Sequence, residues 1–139
     1  MPDTIREKIV QAFAAKVGAI RCVHLDSDSE LPAKSVWDNA EETEKTPYGK
    51  LKITLPLSVD YLAKIDSTNF SNLSAQANAM LGELIQAATS GDNSLTGLCQ
   101  SITYMQCQFV YPQDGASEIE VLSVFNLVYL VNIGDPYSQ

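Results

Sequence analysis

Apolar positions recur along this chain in two rhythms, and the rhythms divide it into elements. Ile5, Ile9, Phe13 and Val17, with Ala12 beside them, return at helical spacing, while Arg6, Lys8, Gln11 and Lys16 take the other faces. Thr4 and Glu7 form a capping-box pair at the start of this stretch. Gly18 follows it as a residue able to adopt positive φ and close the helix. Ala19 to Leu25 then reads as a strand, with Ile20, Cys22 and His24 on one side and Arg21, Val23 and Leu25 on the other. Asp26 to Glu30 is a turn, and Ser35 to Trp37 a short second strand.

Leu51, Ile53, Leu55, Leu57 and Val59 alternate strictly with Lys52, Thr54, Pro56 and Ser58, the period of a half-buried strand. Pro56 cannot donate a ladder bond, so a bulge or a sheet edge is expected there. Between these strands, residues 38–49 are polar and rich in breakers, and they predict an exposed, mobile loop. A second helix starts at Ser71 or Asn72, carries Leu73, Ala77, Met80, Leu81, Leu84, Ile85 and Ala88 as its stripe, and ends at Ser90 and Gly91.

Ile102 to Tyr111 predicts a strand with Met105, Cys107, Phe109 and Tyr111 on one side and Gln106 and Gln108 on the other. Pro112 to Gly115 predicts a turn, and Ile119 to Ile133 the antiparallel return. From Val121 to Val131 both faces of that return strand are apolar except at Ser123 and Asn126. A strand apolar on both faces is covered on both faces. The stretch is also longer than a typical strand. It therefore bends, or something outside this chain covers part of it. The order α-β-β-β-α-β-β predicts one α+β domain over residues 1–139: a single mostly antiparallel sheet of about five strands with two helices packed on one face.

Composition narrows the function classes. The 139 residues carry a formal net charge of −8, and the distribution says more than the total. Residues 1–64 hold nine bases against ten acids, whereas residues 65–139 hold seven acids and no Lys or Arg. A nucleic-acid binder neutralises phosphates with a basic patch, which the second half cannot supply and the first half interleaves with acids. No apolar run reaches the roughly 18 residues of a membrane span. Cys22, Cys99 and Cys107 form no disulfide framework, and the N-terminal segment reads as a charged amphipathic helix rather than a secretory signal. The expectation is a cytosolic protein with free thiols.

Candidate chemistry is sparse. Cys22 and His24 share a face of the first predicted strand and could make a thiolate–imidazole pair. That spacing on one strand is rarely catalytic, and no third group completes it. One His and three scattered Cys lack zinc-ligand spacing. The run from Asp26 resembles the start of a calcium loop, but Leu31 and Trp37 stand where Gly and Glu are required. The seven glycines are isolated, so no phosphate cradle exists. The pairs Glu41/Glu42 and Glu118/Glu120 sit in polar surroundings unsuited to acid catalysis. The expectation is a protein that is not an enzyme and needs no cofactor or metal.

Several stretches taken together carry a resemblance. The first helix opens as Ile5 to Ile9, an exposed loop leads into an alternating strand, an Ala-rich second helix runs into Asp92 to Leu98, and the hairpin ends in Tyr129 to Tyr137. This resembles the tail terminator (tail completion, minor tail) proteins of long-tailed bacteriophages and prophages. The likeness spans nearly the whole chain in element order, and its specific parts are Asp92–Leu98 and Tyr129–Tyr137.

The resemblance implies a virion protein made in the bacterial cytoplasm and placed at the head–tail junction. There it forms a homo-oligomeric ring, typically a hexamer, that caps the tail tube protein, stops its polymerisation and offers a surface to a head completion or connector protein. DNA would pass through the lumen without specific binding. The acidic segment 38–49 matches no family position.

Residues expected at a subunit or tube interface are Asp38, Glu41, Glu42, Glu44, Lys45, Glu118, Glu120 and Tyr129. Bases of the first half, such as Arg6, Lys16, Arg21 and Lys34, could face acids of a neighbour's second half, and Asp38, Glu41, Glu42 and Glu44 could line the lumen. Alternatives are a head–tail connector or neck subunit, a cytosolic adaptor that dimerises through its long C-terminal strand, and, more distantly, a small Cys22/His24 enzyme.

Overall fold

The computed structural model describes residues 2–26, 29–65, 72–112 and 117–139. In chain order the elements are α1 (Ile5–Val17), β1 (Ile20–Arg21), β2 (Ala33–Asp38), β3 (Glu42–Lys45), β4 (Lys50–Lys64), α2 (Leu73–Thr89), β5 (Ser101–Val110) and β6 (Glu118–Asn132). The architecture is α+β, with two helices on one face of a six-stranded sheet ordered β1-β2-β4-β6-β5. β3 also pairs with β4. Only β1 and β2 run parallel, so the sheet is mixed.

The first helix forms for the reasons its sequence gives. The Thr4 hydroxyl accepts the Glu7 N–H at 3.0 Å. Gly18, at φ 71, donates its N–H to the carbonyls of Ala14 and Ala15. The Glu7 carboxylate does not complete the capping box in the expected way. It bonds the Arg21 guanidinium at 2.5 and 3.0 Å and the Gln11 amide at 2.8 Å. Ile5, Ile9, Val10, Phe13, Ala14 and Val17 are buried against the sheet, and the Phe13 ring lies 5.7 Å from that of Phe125 on β6. α2 starts at an Asn72 cap whose side chain accepts the Ala75 N–H. It buries Ala77, Met80, Leu84 and Ala88 on the same side of the sheet.

β4 and β6 are each 15 residues long and pair throughout, from Lys50↔Asn132 to Lys64↔Glu118. The length of β6 is thus matched by an equally long neighbour. Ile53, Leu55, Leu57 and Val59 of β4 meet Ile119, Val121, Phe125 and Leu127 of β6 beneath the helices. Ser123 is buried among them, and its hydroxyl donates to the Val59 carbonyl at 3.0 Å. On the opposite face Leu122, Val124, Val128 and Leu130 are half-buried, and no helix among the described residues lies over them.

Several elements depart from the sequence expectation. The strand expected over residues 19–25 is only Ile20–Arg21, because Cys22 turns the chain at φ 54. The expected loop 38–49 holds a strand: β3, whose four residues all stay exposed, pairs with Leu51–Thr54 to make a β3–β4 hairpin. The sheet accordingly has six strands rather than about five. Met105 sits at a register shift between Tyr104 and Gln106, so it leaves the face shared by Cys107 and Phe109.

Pro56 lies in an interior strand without a bulge, in register with Asn126. The neighbouring chain crosses from β2, which ends opposite Leu57, to β3, which starts opposite Thr54. The Pro56 carbonyl accepts the Asn39 N–H there at 3.2 Å. The missing donor therefore falls where no ladder partner stands. Most of the expected 112–115 turn lies outside the described residues, as does Ser71.

Candidate functional site

The eight residues expected at an interface fall into three separate groups. Asp38, Glu41 and Tyr129 come together around Arg6. The Arg6 guanidinium pairs with the Glu41 carboxylate, donates to the Asn39 carbonyl at 3.2 Å and lies 3.6 Å from the Asp38 carboxylate. The Tyr129 hydroxyl donates to Glu41 at 3.4 Å. Tyr129 is only 2% exposed. Burial, reinforced by the Glu41 charge, pushes its hydroxyl up to about 12, so it stays a neutral donor. One Asp38 oxygen, Oδ1, is buried without a partner. A small cavity of about 150 Å³ beside this cluster is lined by Thr4, Arg6, Glu41, Tyr129, Val131 and Pro136. The cluster is an intrachain clasp that ties the β2–β3 crossover to the start of α1.

Glu42, Glu44 and Lys45 form the second group, on the β3–β4 hairpin. Glu44 stands opposite Lys52. The turn is closed by the Thr46 N–H and hydroxyl, which both donate to the Lys50 carbonyl at 2.9 Å. Gly49 takes φ 74, and Tyr48 at the tip is 82% exposed.

Glu118 and Glu120 lie at the far end of β6, at least eight residues along the strand from the hairpin pairs, about 26 Å or more at 3.3 Å per residue. Glu120 shares the helix-free face with Asp60. Burial raises the pKa of both carboxyls, and the Asp60 charge raises that of Glu120 further. They border an open groove of about 490 Å³ together with Ser58, Gln106, Gln108 and Leu122.

The two stretches that carry the family resemblance are loop-building segments. The Asp92 carboxylate accepts the Ser94 N–H at 2.9 Å, the Ser94 hydroxyl at 2.6 Å and the Thr96 N–H at 2.8 Å. These bonds hold its pKa down to about 2. They also hold Leu95, Thr96 and Gly97 at positive φ, which lets Leu95 reach the core. Asp135 likewise accepts the Tyr137 N–H at 3.0 Å and the Ser138 hydroxyl at 2.7 Å. The next carbonyl, that of Pro136, accepts the Ile5 N–H at 2.9 Å and closes the C-terminal segment over the start of α1.

Cys22 and His24 do not share a strand face. Cys22 is exposed at the turn, and the His24 ring packs 4.8 Å from that of Trp37. Cys99 is buried, and its thiol is pushed up to about 11 by burial and then by Asp92. Among the described residues no group of three His, Cys, Asp or Glu is placed to hold a metal ion. None of the described helices is long and apolar enough to cross a membrane. Sequence reasoning missed the Arg6 clasp and the Asp60–Glu120 pair. Their partners lie on separate elements of the chain, which no local spacing joins.

No family model matches this sequence, and no curated protein matches it. Among solved structures the chain is similar to a chain from the virion of a native gene transfer agent particle. The identity is 15%, over 91% of this chain and 92% of that one, with a TM-score of 0.41.

Proposed function

We propose that this chain is a structural assembly subunit of a phage-like particle, and more specifically a tail terminator. In this reading copies close into a ring, of six by the family resemblance, at the end of the tail tube. The ring stops tube growth and presents the surface that a head completion or connector protein joins. One observation carries the reading. The helices cover a single face of the sheet, while β6 keeps Leu122, Val124, Val128 and Leu130 on the other. Apolar surface left on a sheet marks a place where another chain sits. The resemblance of Asp92–Leu98 and Tyr129–Tyr137 says which kind of assembly.

The charge is compatible with DNA passage. A net charge of −8, with no base after Lys64, leaves the second half of the chain nothing to hold phosphate with. Asp38 and Glu41 are engaged by Arg6, so Glu42 and Glu44 on the hairpin are the acids left to face a lumen or a tube. A head–tail connector remains the nearest alternative, since it would use the same uncovered face. The adaptor reading is less favoured, because β6 lies between β4 and β5 and offers a partner no free edge.

The test is removal of the chain from cells that assemble the particle, followed by electron microscopy. A terminator predicts tubes of uncontrolled length and no joined heads. Tails of normal length that fail to join heads would instead indicate the connector role. Normal, joined tails would end the assembly reading.

A further inference from the structure

We propose that copies of this chain join laterally, with the β5 edge of one copy seated against the β1–β2 groove of the next. This rests on the ring reading and names the contact that builds the ring.

The two lateral edges of the sheet are not alike. β5 is ten residues long, lies at the edge and contains no charged residue and no proline. Sheet edges that stay unpaired are normally short, charged or broken by proline. β1 at the other edge is two residues long, and β3 on the same side of β4 reads Glu-Thr-Glu-Lys, so that side is guarded and β5 is not. Exposed large apolar residues gather at both edges. Met105 and Val110 lie on β5 with Tyr111 just beyond it, and Ile20 lies on β1 with Val23 just beyond it. The β1 side also holds a groove of about 440 Å³ lined by Ile20, Val23, Leu25, Pro32, Ala33 and Lys34.

Register places these patches at one height. Ile20 pairs with Ser35, Ser35 with Asp60, Asp60 with Leu122, and Leu122 with Gln108. One copy cannot join its own opposite edges, but a second copy beside it can do so with no shift along the strands. Such a contact is heterologous, and a heterologous contact builds a ring when its rotation closes. Charge agrees with the second copy as occupant. Val110 pairs with Glu120, while Glu118 stands opposite Lys64 of β4. Glu30 lines the groove, and so does Lys34. Its ammonium meets the Val17 carbonyl and the Tyr61 ring, and no carboxylate pairs with it among the described residues. Lys34 stands level with Phe109 and Glu120 with Val110, one residue apart in height, so a second copy can set this acid beside this base.

Native Cys22 supplies a probe. It is exposed and directly follows Arg21, which stands level with Val36, Val59, Ser123 and Cys107. A Met105→Cys variant of the full chain would bring a thiol close to the neighbour's Cys22, within the roughly 4.4–6.8 Å between Cα atoms that a disulfide spans. Mild oxidation, read on a non-reducing gel beside light scattering of the same sample, should give a ladder of linked chains reaching beyond the dimer. Adding Cys22→Ser should abolish the ladder. Products that stop at the dimer, with or without Cys22, would overturn the proposal in favour of a two-fold contact. No linked product from particles that scatter as rings would overturn the edge contact while leaving the ring reading intact. A monomer at every concentration would remove both.

Discussion

Thr4 contributes one acceptor, yet that acceptor sets where α1 begins. Replacing it with Ala removes the cap, and caps of this type are worth about 1 kcal/mol. A Thr4→Ala variant should therefore lose about that much unfolding free energy in urea, with the fold unchanged by circular dichroism. This residue was legible because its partner lies three positions away. The partner of Glu7 was not, since Arg21 reaches it only once β1 has formed. The Arg21 bond, opposed by slight burial, holds the Glu7 carboxyl below its usual value. Its contribution is present above the unfolded value and is lost as pH falls.

Asp60 behaves in the opposite sense. Burial raises its folded pKa, so the folded state favours the proton, and stability present in acid is lost as pH rises through the folded value. Asp60→Asn should raise the melting temperature at pH 7. The gap should close below pH about 3, where both states of the native carboxyl are protonated. Thermal melts across that range check the sign; a gap that widens in acid would contradict it.

At the scale of elements, hydrophobic rhythm exposed most of the architecture. α1, α2, β4, β5 and β6 follow their apolar patterns because each buries a stripe or an alternating face against one core. β3 carried no such signal: all four of its residues are exposed, and only its pairing with Leu51–Thr54 makes it a strand. β1 failed in the other direction. Its apolar alternation continues to Leu25, but the turn at Cys22 ends it.

Two substitutions separate a core strand from an edge strand. Leu57→Ala on β4 empties a fully buried site and should cost about 2–5 kcal/mol of stability. Met105→Lys places a charge on the exposed β5 edge, where surface changes stay within about 0.5 kcal/mol. Its effect should appear instead as lost self-association. Urea unfolding and light scattering on both variants provide the comparison; an unstable but still assembled Met105→Lys would contradict it.

Over the whole molecule the charge divides with the chain. Every base lies between Arg6 and Lys64, and the acids beyond them have no base of their own half to meet. Some of those acids are spent locally: Asp92 and Asp135 each hold a turn. Glu118 and Glu120 remain near the β5 side of the sheet. The sequence showed the imbalance and the two-sided apolarity of β6, but only the register showed that both lateral apolar patches stand at one height. If opposite potentials guide neighbouring copies, raising salt should weaken association at low protein concentration.

The central claim is that the surface this fold leaves bare belongs to further copies of the same chain. Native mass measurement of the purified protein across a wide concentration range tests it most directly. A single closed species of several copies, six by the family resemblance, is the predicted result. A monomer, or a dimer that grows no further at any concentration, would contradict it.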